Sequence, residues 1–230
     1  MNKKTYLQKL LFGNDTSSSD EHIPVLGFAK ITKYYDVILY ISGLGKRFKQ
    51  KISTLPSLKN PPEVVVDLGC GTGTQLRILH TLYPKATTIG IDPDSAVLQD
   101  LKTDLKAQNI PLTLINASAT ETTLQTNSVS ICYSTLTFHH LTSEEKVQAF
   151  REVYRILKPG GTFLLTDWGK LWFTPFRYLL IFEDQERLED HINDRIPSFA
   201  HNAGFTLLKT TKVKPTGIWA WEFKKPETIS

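Results

Sequence analysis

Residues 64–74 read Val-Val-Val-Asp-Leu-Gly-Cys-Gly-Thr-Gly-Thr, and this stretch constrains the fold more than any other. The β-branched run follows Pro61 and Pro62 and suits a short strand covered on both faces. It runs directly into three alternating glycines, Gly69, Gly71 and Gly73, and then into a segment of helical periodicity. Glycine reaches positive φ without strain and has no Cβ, so a ligand can touch backbone there. The N-terminus of the helix that follows presents unpaired N–H groups and a partial positive charge to an anion. A strand, a glycine turn and a helix in that order therefore predict a bound ligand with an acidic part.

The spacing narrows the ligand. A dinucleotide site of the G-x-G-x-x-G type needs glycine at position 74, where this chain has Thr74. A triphosphate loop needs Gly-Lys-Ser or Gly-Lys-Thr after the turn, and neither follows. Asp92, in Gly90-Ile91-Asp92-Pro93, closes the next strand about twenty residues on, where a carboxylate can accept the ribose hydroxyls of a nucleoside. Pro93 at a first helical position also makes an ordinary helix start, with Asp92 or Asp94 as its cap.

Along the rest of the chain, strand-like and helix-like stretches alternate. Helices are expected at 74–83, 95–108 and 143–157, and strands at 87–91, 112–116, 129–134 and 162–167. This alternation predicts an α/β, doubly wound, mostly parallel sheet with helices on both faces. After Asp167 come an apolar aromatic segment (171–182), a charged helix at 185–203, and two final strands near 205–211 and 217–223. Upstream, 3–12 suits a short amphipathic helix, and 28–52 a pair of helices split at Gly43 and Gly45. The organisation expected is an N-terminal head and helical cap over 1–60 and a ligand-binding core over 61–230.

The pattern Asp67-x-Gly69-x-Gly71-x-Gly73, with Asp92 closing the second strand, resembles the class I S-adenosylmethionine-dependent methyltransferases. Phe138-His139-His140-Leu141 after the fourth strand matches the same family, as does the stretch from Phe150-Arg151-Glu152 through Leu157-Lys158-Pro159-Gly160-Gly161. Together these cover roughly residues 61–167. Tyr34-Tyr35-Asp36-Val37, with Ser42-Gly43-Leu44-Gly45, is similar to the ubiquinone and menaquinone biosynthesis C-methyltransferases within that family.

The resemblance implies a Rossmann-like methyltransferase fold, seven-stranded with an antiparallel C-terminal strand, and S-adenosyl-L-methionine as cofactor. It places Asp67, Gly69, Cys70, Gly71 and Gly73 against the methionine part, Asp92 and Pro93 at the ribose, and Ser118 and Ala119 where the adenine lies. Thr135 and Tyr35 complete the implied cofactor contacts. The sequence departs from the family at Ser118, where an aspartate is common, and at Ser128-Val129-Ser130, where Ser-Phe-Asp is usual.

Methyl transfer is an in-line displacement at a reactive sulfonium, so the protein aligns donor and acceptor and excludes water, without a metal. A base is needed where a phenol or ring carbon must lose a proton, and His139 or His140 is the candidate. Cys70 and Cys132 stand far apart with no histidine or cysteine at zinc-ligand spacing, which predicts neither disulfide framework nor metal site.

Formal net charge is +4, too small for a nucleic-acid footprint, although the first sixty residues hold ten Lys/Arg against four Asp/Glu. No run reaches the roughly 18–20 apolar residues of a membrane span, and no signal-peptide pattern opens the chain. A soluble, cytoplasmic enzyme acting on a small apolar or aromatic acceptor is expected, a quinone precursor being the type. The aromatic segment and the basic N-terminal part suit peripheral contact with a membrane. The sequence leaves open O- or N-methylation of another metabolite or lipid, and a module that binds cofactor without turnover.

Overall fold

The computed structural model describes residues 43–170, 185–214 and 217–227. The first described helix, α1 (Lys46–Ser53), precedes the alternating part of the chain: β1 (Val64–Leu68), α2 (Thr74–Leu82), β2 (Thr87–Asp92), α3 (Ser95–Ala107), β3 (Thr113–Asn116) and β4 (Val129–Thr135). A 3-10 turn (Phe138–His140), α4 (Ser143–Ile156) and β5 (Leu157–Trp168) follow. The chain closes with α5 (Gln185–Ile192), α6 (Ile196–Asn202), β6 (Thr206–Lys214) and β7 (Ile218–Lys224).

The strands form a seven-stranded sheet in the order β3-β2-β1-β4-β5-β7-β6. β1 to β5 pair in parallel, whereas β7 lies antiparallel between β5 and β6. The order reverses between β1 and β4, and ligands of open α/β sheets bind in the crevice at the carboxyl ends of such strands. The register brings Leu68 opposite Ser134, Ser134 opposite Leu165 and Thr135 opposite Thr166, so the residues that end β1, β4 and β5 share one edge.

One core cluster joins Val66, Leu68, Ile91 and Cys132 to Phe138, Phe150, Phe163, Phe205 and Phe223. The Phe150 ring meets Phe138 at 5.2 Å and Phe223 at 5.8 Å, both edge-on. That edge-to-face geometry adds about 0.5–1.5 kcal/mol per pair beyond area burial. Thr142 and Glu145 form a reciprocal capping box that starts α4.

The residues of α1 bury Leu44, Phe48 and Ile52 against Leu136 and Ile218. Its last carbonyl, that of Ser53, accepts the Tyr133 hydroxyl at 3.0 Å. The apolar stripe and this bond together hold α1 against the end of β4 and the start of β7.

Differences from the expected elements have local causes. β5 begins at Leu157, not at residue 162, because Val129 pairs with Leu157 before a register shift. The charged helix expected over 185–203 is two helices, α5 and α6. Asp194 takes φ +57° between them and Pro197 sits in the first turn of α6, so the chain restarts there. The amphipathic head at 3–12, the first part of the helical cap and the aromatic segment at 171–182 lie outside the described residues.

Candidate active site

The loop after β1 takes the backbone form expected from its glycines, with φ +76° at Gly69, +50° at Gly71 and +76° at Gly73. The Gly69 and Cys70 N–H groups both donate to the Ile91 carbonyl, at 2.8 and 3.0 Å, which ties the loop to β2. A Cβ on Gly69 would lie 2.2 Å from Thr137 Oγ1, whereas one on Gly71 would meet nothing within 4 Å among the described residues. Gly69 is thus required by packing within the protein, and Gly71 presents backbone that no described residue covers.

Asp92 closes β2 and faces this loop. Its Oδ2 accepts the Gly71 N–H at 2.9 Å and its Oδ1 accepts the Asp94 N–H at 3.0 Å. The cap of α3 is Asp94, whose Oδ1 takes the N–H groups of Ala96 and Val97 at 2.9 and 3.1 Å. The two acidic residues around Pro93 therefore divide the work: Asp94 starts the helix, and Asp92 holds the glycine loop at the sheet edge. Asn116, at the end of β3, donates to the carbonyls of Asp92 and Pro93 at 3.0 and 2.9 Å and fixes the turn between them.

Asp67 is 2% exposed, and its Oδ2 has no hydrogen-bond partner among the described residues. Burial pushes its carboxyl up to about 7 against the pull of the nearby Lys49 ammonium, the charge of Asp92 acts in the same direction as burial, and the Leu76 N–H opposes it. An orphaned, buried carboxyl oxygen beside open glycine backbone suits a cationic ligand group. The Cys70 thiol is buried and pushed up by desolvation, so it is neutral and packs as an apolar group. Ser118 shares a 2.9 Å hydrogen bond with the Thr120 hydroxyl and forms a bridge with Glu121, Ala119 is buried behind it, and Thr135 ends β4 half-buried. Tyr35 lies outside the described residues.

His139 and His140 stand on the 3-10 turn after β4, their ring centroids 3.9 Å apart. Their environments differ. His139 Nδ1 lies 2.7 Å from Asp167 Oδ1, while Asp167 Oδ2 accepts the N–H groups of Thr137 and His139, each at 3.2 Å. The Trp168 N–H donates to Oδ1 at 2.7 Å.

Asp167 is fully buried, which disfavours its charge, yet His139 and these hydrogen bonds hold its carboxyl well below the usual carboxylate range. A carboxylate at Nδ1 keeps the proton there and leaves the lone pair on Nε2. His140, by contrast, is pushed down to about 3 by burial and by His139, and is neutral at physiological pH.

α5 closes this corner. His191 Nδ1 lies 2.8 Å from the Trp168 carbonyl, and burial pushes its imidazole down to about 4. Buried Lys146 of α4 pairs with Asp190 at 3.2 Å, and Ser143 donates to the same oxygen at 2.6 Å, fastening α5 to α4. The structure thus brings Asp67, the glycines, Asp92, Thr135 and the histidines to one edge of the sheet. Asp167 was missed by sequence reasoning. Its signal was an acidic residue closing a buried parallel strand at the same edge as Asp67 and Asp92.

These features fit an adenosyl amino acid: an acidic residue closing β2 and, among the described residues, a glycine without a neighbour over its Cα and a buried carboxyl oxygen without a partner. Residues 65–161 match the methyltransferase domain family. Over 110 residues the chain is 31% identical to an uncharacterized methyltransferase of Oceanobacillus iheyensis, covering 48% of this chain and 49% of that one. An uncharacterized methyltransferase of Synechocystis is 24% identical over 184 residues, covering 76% and 83%.

Among solved structures, a SAM dependent methyltransferase from Aquifex aeolicus superposes with a TM-score of 0.68 at 18% identity, over 85% of this chain and 97% of that one. The fold is the Rossmann-like methyltransferase fold. Residues 65–161 are thus similar to methyltransferase domains, and a geranyl diphosphate methyltransferase of the same fold, solved in complex with SAM, superposes with a TM-score of 0.67 at 12% identity over 84% of this chain and 90% of that one.

Proposed function

We propose that the protein transfers a methyl group from S-adenosylmethionine to a small apolar or aromatic acceptor, a quinone precursor being the type. The observation that carries the reading is the convergence on one sheet edge of the Gly71 backbone, Asp92, the orphaned Asp67 oxygen and the Asp167–His139 pair. When bound, the cofactor supplies an electrophilic methyl on a sulfonium. The chain's own groups divide the remaining tasks.

Asp92 accepts the ribose hydroxyls while holding the loop through Gly71. Asp67 receives the ammonium of the amino-acid end. His139, oriented by Asp167, accepts through Nε2 the proton that a phenol or activated ring carbon gives up. His140 packs against it as a neutral ring. The ubiquinone and menaquinone C-methyltransferase kinship rests on the Tyr34-Tyr35-Asp36-Val37 motif.

Titration with S-adenosylhomocysteine by calorimetry tests the reading, with NAD as control. Asp92→Ala should weaken binding roughly 10- to 100-fold, the cost of leaving ligand hydroxyls unpaired at about 1–3 kcal/mol. No saturable binding by the wild type, or tighter binding of NAD, overturns the cofactor reading.

The pH dependence of that binding has a definite sign. With its carboxyl raised to about 7, Asp67 is largely protonated at pH 6 and must ionise to receive an ammonium. Affinity should rise about tenfold per pH unit up to near pH 7 and level above it, as one linked proton requires. The same raised value means that the contribution of Asp67 to folding stability is fully present below its unfolded range. It is lost as pH rises through 7. A flat affinity profile between pH 5.5 and 8 would remove Asp67 from the ammonium site.

A further inference from the structure

Three buried polar side chains gather where α1 and α2 pack beside the end of β1. Asp67 accepts the N–H of Leu76, in the first turn of α2, yet keeps Oδ2 without a partner among the described residues. Gln75, the residue before Leu76, is 2% exposed, and among the described residues neither its Oε1 nor its Nε2 has a hydrogen-bond partner. Lys49 of α1 is 8% exposed, and its ammonium acts on both Asp67 and Cys70.

A carboxamide buried with its hydrogen-bonding capacity unused among the described residues is costly, because its desolvation is not repaid. Such groups persist where a ligand satisfies them. A lysine cation, an aspartate anion and a carboxamide that donates and accepts together complement one chemical unit: an α-amino acid, with its carboxylate and ammonium on adjacent atoms.

We propose that Lys49 and Gln75 complete, with Asp67, the recess for the amino-acid end of the cofactor. The Lys49 ammonium and the Gln75 carboxamide take the carboxylate, and Asp67 takes the ammonium. The assignment rests on the cofactor reading above and adds to it two residues from outside the glycine loop. It also gives α1 a task. Phe48 and Ile52 anchor the helix on Leu136 and Ile218, and that anchorage delivers Lys49 to the binding site. The N-terminal part of the chain therefore contributes to cofactor affinity.

The experiment compares two ligands that differ at this end. S-adenosylhomocysteine carries the amino-acid group, whereas 5′-methylthioadenosine keeps the adenosine and thioether and lacks it. Both are titrated by calorimetry into the full-length wild type, Lys49→Met and Gln75→Leu, with melting temperatures recorded for each.

Lys49→Met should weaken S-adenosylhomocysteine on the order of 10- to 100-fold and leave 5′-methylthioadenosine within about twofold, since a charge-assisted bond is lost at one end of the ligand only. Gln75→Leu should weaken the first ligand by roughly 5- to 10-fold, again selectively. If Lys49→Met does not fold, the selective loss in Gln75→Leu carries the test. Equal weakening of both ligands, or an unchanged affinity for S-adenosylhomocysteine, overturns the proposal while leaving the cofactor reading intact. A wild type that binds neither ligand overturns both.

Discussion

Asp167→Ala is expected to lower the free energy of unfolding by about 3–5 kcal/mol, the range found when one partner of a buried charge pair is removed. Asp167 is wholly buried at the end of β5 and accepts four hydrogen bonds, from the backbone of Thr137, His139 and Trp168 and from the His139 ring. Removing the carboxylate strands three backbone donors and one imidazole in a space from which water is excluded. The turn that carries both histidines and lies against Gly69 would lose its anchor.

Urea denaturation of the variant measures the loss directly. Asp167→Asn, which keeps the volume and one acceptor oxygen, should cost less than half as much. A loss below about 1 kcal/mol for the alanine variant would mean that the turn stands without its carboxylate.

The glycine loop provides the second large effect, as a contrast between two neighbours. Gly71→Ala should fold with a loss of about 1–2 kcal/mol, the cost of placing an L residue in the left-handed region, because its methyl meets no atom of the described residues within 4 Å. The same methyl would project from the backbone that Asp92 holds, into the space assigned to the cofactor. Affinity for S-adenosylhomocysteine should fall roughly 10- to 100-fold, as overpacking by 1–3 kcal/mol implies.

Gly69→Ala reverses the balance. Its methyl would lie 2.2 Å from Thr137 Oγ1 and 2.4 Å from Thr137 Cγ2 at φ +76°, so strain and overpacking together should cost about 2–5 kcal/mol of stability. Thermal melts and calorimetry on both variants decide the matter. Gly71→Ala with wild-type affinity would place the ligand elsewhere.

Most of the sheet was legible because period and punctuation are local properties. The Val64–Val66 run, the Pro61-Pro62 break and the glycines mark β1 and its loop without reference to the rest of the chain. The edges of β2, β3, β4, α2, α3 and α4 fall within a residue or two of their expected positions. The break between α5 and α6 was less visible, since it depends on Asp194 entering a left-handed conformation, a choice that charge patterning does not reveal.

The division between Asp92 and Asp94 was also open from sequence. Either can cap a helix, and the hydrogen bonds to Ala96 and Val97 assign that work to Asp94.

What the sequence by itself determined is the order of strands and helices, the glycine turn and the acidic residue that closes β2, because each follows from backbone conformation and spacing along a few consecutive residues. What only the tertiary structure decided is which side chains meet. His139 and His140 are chemically identical neighbours in sequence, and Asp167, 28 residues further on, distinguishes them by lying against the Nδ1 of one. Lys49 and Gln75 read as an ordinary helix lysine and glutamine until packing buries both beside Asp67. Periodicity reports which face of an element is covered, but desolvation and charge depend on what covers it, and that comes from strands and helices far apart in the chain.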